Sequence, residues 1–150
     1  LVELMITLAI MAVLATVAVP MMQLVMQRQK EHELRAALME IREALDAYKH
    51  AVEQGDVQIK AGESGYPKSL DQLVDGVENQ RHPNKNKIYF LRRLPRDPMD
   101  VGDESQPPSR SWGIRSYASP ADLPAEGEDV FDVYSKSDAL GLNGVPYRQW

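Results

Sequence analysis

The pattern of apolar and polar positions divides the chain into two unequal parts. From Leu4 to Met22 the sequence LMITLAIMAVLATVAVPMM is apolar except for Thr7, Thr16 and Pro20. As a helix rising 1.5 Å per residue it spans roughly 28 Å, close to the hydrocarbon thickness of a bilayer. Beyond Gln23 the apolar positions become periodic: Leu34, Leu38, Ile41, Leu45, Tyr48 and Val52 recur at steps of 4, 3, 4, 3 and 4, which places them on one helical face. The pattern predicts one helix running to about Gln54, about 50 residues and some 75 Å long, closed by Gly55 and Asp56. Only about three heptads are present and their flanking charges are mixed, so the stripe suits packing against later segments of the same chain better than a coiled coil.

The rest of the pattern is shorter-ranged. Tyr66 to Gly76 reads as a short helix with Ser69 as N-cap, Gln72 completing a capping box and Gly76 ending it. Leu70, Leu73 and Val74 would dock it on the core. Arg81 to Lys87 is polar and basic, Ile88 to Leu91 is apolar, and Arg96-Asp97-Pro98 and Pro107-Pro108 break regular structure, which predicts a long, anchored loop. Trp112 to Ala118 and Val130 to Ser135 are rich in aromatic and β-branched residues and read as two antiparallel strands joined through Pro120 to Gly127. The expected class is α+β: a long N-terminal helix, half apolar and half amphipathic, packed on a short helix, an extended loop and a small antiparallel sheet. Residues 1–27 are expected to form a transmembrane segment and residues 28–150 the globular body, with Leu34, Leu38, Ile41, Leu45 and Tyr48 as its core.

Charge sharpens this division. The only ionisable side chain from Leu1 to Gln27 is Glu3, whereas all 17 Lys and Arg residues lie from Arg28 onward. The net charge of −5 gives no broad cationic footprint for nucleic acid, which is not an expected partner. With no cysteine, disulfides, thiolate metal sites and covalently attached c-type haem are excluded. The apolar segment lacks the basic region, short core and small-residue cleavage site of a removable signal peptide, and is expected to be retained. Glu3 is the anomaly, because an ionised carboxylate in the apolar region costs on the order of 2.5 to 3.5 kcal/mol. Two readings stand: the carboxylate reaches the head-groups at the positive end of the helix dipole, or it meets a partner. Pro20 lacks an amide hydrogen and crowds the preceding turn, so it is expected to kink or interrupt the helix.

LVELMITLAIMAVLATVAVP, with Glu3, the apolar run and Pro20 in register, resembles the N-terminal segment of type IV pilins and pseudopilins. In that family a prepilin peptidase removes a basic leader before an N-terminal residue that becomes methylated, and the resemblance implies two residues ahead of Leu1. It implies that Glu3 pairs with the N-terminal ammonium of a neighbouring subunit and sets axial register. It also implies that Leu4, Ile6, Leu8, Ile10, Val13, Leu14 and Val17 pack in the core of a helical filament, and that the helix unwinds near Pro20. Tyr66-Pro67, Leu94-Pro95-Arg96-Asp97-Pro98, Trp112-Gly113 and Asp132-Val133-Tyr134-Ser135 are similar, in order and spacing, to motifs of the major pseudopilin of type II secretion systems.

The function so implied is a non-enzymatic filament subunit supporting protein secretion. The expected partners are further copies of the chain, an inner-membrane platform, an assembly ATPase, minor pseudopilins, the prepilin peptidase and the lipid bilayer before assembly. The expected location is the inner membrane with a periplasmic body, then a periplasmic or cell-surface filament. The alternatives are a type IV pilin forming fibres for adhesion or motility, and a membrane-anchored periplasmic module that never polymerises.

Other chemistry finds little support in the residues. Major pseudopilins commonly bind calcium in the loop after the last strand, here SKSDALGLNGVPYRQW, but Asp138 is its only acid, beside Ser137 and Asn143. No metal or other cofactor is expected, and packing of Leu140, Leu142, Val145, Tyr147 and Trp150 is expected to fasten the loop instead. His32-Glu33-Leu34-Arg35-Ala36 lacks a second histidine, Gly62-Glu63-Ser64-Gly65 is not a nucleophile elbow, and no catalytic residues are assigned. His32, His50 and His82 are dispersed and read as surface residues.

Overall fold

A computed structural model describes residues 1–150. Helix α1 spans Val2–Glu53, 52 residues and about 78 Å, and continues through Pro20 without interruption. The expected unwinding at this proline is therefore not seen in the single chain. Its cost is local: the missing amide leaves the Thr16 carbonyl without its helical donor. Gly55, at φ 83°, follows the last turn in the left-handed region that glycine adopts without strain.

The body is built along the second half of α1. Leu34, Leu38, Ile41, Leu45 and Tyr48 are all buried, joined on the same face by Ala37, Ala44 and Ala51. Helix α2, Asp71–Asp75, lies over this face through Leu70 and Leu73. Its start differs from the predicted cap. The Ser69 side chain makes no capping bond, and Gln72 Oε1 reaches back to the Lys68 amide at 2.9 Å. Gly76 closes the helix at φ 83°.

The segment after Gly76, expected to be a loop, contains a two-residue ladder: β1 (Val77–Glu78) pairs antiparallel with β2 (Lys87–Ile88). This hairpin is fixed to the far end of α1, where the Gln80 amide donates to the Asp56 carbonyl at 2.8 Å and Arg81 pairs with Asp56 at 3.3 Å. A second antiparallel pair joins β3 (Trp112–Arg115) to β4 (Asp132–Ser135), with Gly113 opposite Tyr134. Arg42 of α1 holds this pair through Asp132 at 2.8 Å and the Val133 carbonyl at 3.3 Å. The fold is α+β, one long helix carrying a short helix and two small antiparallel sheets.

Trp112 fills the centre of the body, and its indole N–H donates to the Pro95 carbonyl at 2.8 Å, tying the long loop to the sheet. Gly113 is required beside it: a Cβ there would lie 2.3 Å from the Tyr134 ring.

Candidate functional site: the uncovered apolar head and its glutamate

Residues 1–26 are all exposed, and none of the most apolar window of α1 is buried. Leu4, Ile6, Leu8, Ile10, Val13, Leu14 and Val17 all face outward, each more than half exposed. The two hydroxyls in this stretch are satisfied internally, Thr7 on the Leu4 carbonyl at 2.8 Å and Thr16 on the Val13 carbonyl at 2.6 Å. The head thus presents a continuous apolar surface around the whole helix, long enough to cross a membrane.

Glu3 sits in the first turn of α1, exposed, and no side chain or amide of the chain bonds to its carboxylate. Its placement at the helix N-terminus sets the carboxylate against the positive end of the helix dipole. Pro20 lies 17 residues further on, so the chain holds the two expected assembly residues at separate levels of one rod.

At the junction between head and body the structure holds a polar group that the sequence reading missed. Glu31 is buried, and its Oε1 accepts from the Leu142 amide at 2.7 Å, the Tyr147 hydroxyl at 2.9 Å and the Gln27 amide at 3.5 Å. Gln27 Nε2 also donates to the Tyr147 oxygen at 2.9 Å and the Leu140 carbonyl at 3.4 Å. Arg35 lies over the Trp150 ring at 4.4 Å, and Arg42 donates to the Trp150 carbonyl at 3.1 Å. Gln27, Glu31 and Arg35 are four residues apart, and they form a polar rail on which the last segment of the chain is seated. Glu31 stands three residues before Leu34, one step back along the apolar stripe, and a carboxylate on that face was the available signal.

The final loop is therefore fastened differently from expectation. Tyr147 is buried and Trp150 packs on it at 5.0 Å between ring centroids, but Leu140, Leu142 and Val145 are exposed. Asp138 pairs with Arg148 at 2.8 Å, and Asn143 accepts from the Val145 amide at 3.0 Å. No three His, Asp or Glu side chains are grouped closely enough to share an ion.

A second buried carboxylate lies in the long loop. Asp97 accepts from the Ser135 hydroxyl at 2.6 Å and the Met99 amide at 2.9 Å, while its own amide donates to Ser111 Oγ at 3.0 Å. Burial pushes its carboxyl above the usual carboxylate range, and the Ser135 bond opposes that rise without cancelling it. The histidines form no site: His32, His50 and His82 are all exposed and far apart in sequence.

Comparison with protein-family models, with curated proteins and with solved structures gives no match.

Proposed function

We propose that the chain is a filament subunit of the type IV pilin superfamily, acting as the major pseudopilin of a type II secretion-like system. One observation carries the reading: an apolar rod, uncovered on every side, bears a single carboxylate that has no partner in its own chain. Such a surface is satisfied by lipid or by copies of itself, and burial in the two is nearly equivalent in free energy. The subunit would rest in the inner membrane with its body in the periplasm and then pass into a helical bundle of heads. Extraction would be driven by an assembly ATPase acting through a membrane platform, after cleavage and methylation by the prepilin peptidase. Minor pseudopilins would join the same filament.

In that bundle Glu3 meets the N-terminal ammonium of a neighbour, which neutralises both charges and specifies axial register. The work is mechanical, and neither catalysis nor a resident metal enters it. Replacing Glu3 by Val removes the register charge and leaves the apolar surface intact. The Glu3→Val chain is expected to remain in the membrane fraction and to yield no filaments, whereas abundant normal filaments would overturn the assignment of Glu3. Deletion followed by comparison of secreted proteins separates a secretion filament from an adhesive or motile fibre, which leaves secretion unchanged.

A further inference from the structure

The exposed residues Leu140, Leu142 and Val145 occupy a specific place. They sit on a tight turn in which the Gly141 amide donates to the Val145 carbonyl at 2.9 Å and Gly144, at φ 79°, takes the left-handed conformation. The turn is held against α1 at Gln27 and Glu31, within about one helical turn of Met26, the last residue of the uncovered apolar surface. Three exposed apolar side chains of the body are thus fixed level with the end of the apolar rod. Beside them Arg28 and Lys30 are exposed, and neither enters an ion pair.

We infer that the Leu140–Val145 turn is an interfacial foot, which rests in the head-group and upper acyl region of a bilayer and fixes the depth and tilt of the body. The inference rests on the reading that the head spans a membrane. Two features favour lipid as the occupant. The turn continues the apolar surface of the rod, and Arg28 and Lys30 stand where anionic head-groups lie, each contributing near the surface as juxtamembrane cations do. Apolar side chains flanked by cations at this level match the composition of interfacial segments generally. The Glu31 bonds supply the rigidity, because a foot tied only by its chain ends would not transmit its position to the body.

The chain lacks cysteine, so single labels are unambiguous. Full-length chains bearing Leu142→Cys, Leu14→Cys or Asn84→Cys, each spin-labelled, would be reconstituted at low density in vesicles of phosphatidylcholine and phosphatidylglycerol. Accessibility to oxygen and to a water-soluble nickel complex would then be compared. Asn84 lies on the hairpin anchored at Gln54 and Asp56, about 37 Å along α1 from Gln27 to Glu31, and serves as the aqueous reference.

The expected result is an oxygen-to-nickel ratio at position 142 several-fold above that at 84 and below that at 14. Equal ratios at 142 and 84, with 14 still in hydrocarbon, overturn the foot and leave the spanning head intact. Aqueous values at all three positions overturn the spanning head and the foot together. Protection at 142 that appears only at high subunit density or in filaments assigns the turn to a second copy and likewise overturns the inference.

Discussion

At position 31 the chain places a carboxylate among buried side chains and gives it three donors, so its removal orphans groups on both sides of the head–body junction. Glu31→Ala leaves the Leu142 amide and the Tyr147 hydroxyl without their acceptor, a loss of about 1–3 kcal/mol. Glu31→Gln retains a carbonyl acceptor and should cost less. Urea unfolding of the detergent-solubilised chain, followed by tryptophan fluorescence, measures both, and equal effects of Ala and Gln would contradict the hydrogen-bonding role.

Asp97 makes the stability of the body depend on pH. Its folded pKa is raised by burial, so its contribution to stability is full below the unfolded value and is lost as pH rises through the folded one. The stability of wild type relative to Asp97→Asn should fall as pH rises from about 4; a difference that stays flat or grows would contradict the buried-acid account. Neither acid announced itself by residue type. Glu31 was legible only as an intruder in the apolar stripe, and Asp97 only as part of a motif whose buried partner, Ser135, lies 38 residues away.

Among the elements, the long helix was the most legible, because its signal is a periodicity carried over many turns by strong apolar side chains. Leu34 is fully buried on that face, and Leu34→Ala is expected to cost about 2–5 kcal/mol by the same unfolding measurement. The two strands were recognisable but read too long. The predicted run from Trp112 ends at Arg115 because the Ser116 amide turns to the Ala125 carbonyl and the Tyr117 amide to Asp129. The run from Val130 starts late because the Val130 amide is taken by the Pro67 carbonyl. These competing partners are distant in sequence and leave no local trace. The β1–β2 hairpin was missed for a related reason: two-residue strands within a polar, basic stretch carry no alternation to detect. Across β3 and β4, Gly113→Ala would force the Tyr134 ring aside. An overpacking loss of about 1–3 kcal/mol is expected, with unfolding at unchanged stability as the contrary result.

As a whole, the molecule is a rod with an unpartnered apolar half and a self-sufficient body, and the proposed polymerisation follows from that asymmetry. Bonds from Glu31, Gln27 and Arg42 hold the last segment on α1. With no calcium expected there, the thermal midpoint should be the same with calcium or with chelator, and a large calcium-dependent rise would contradict that expectation. The head's apolar character and its single acid were plain in the sequence, whereas Glu3 meets no partner within the chain and only the proposed assembly would give it one. The most direct measurement is a helical reconstruction of the assembled material. The account predicts filaments with the residue 1–26 heads bundled at the axis and each Glu3 carboxylate within ion-pair distance of a neighbour's N-terminal amine. Filaments whose heads lie outside the axis, or a chain that stays monomeric in the membrane, would contradict it.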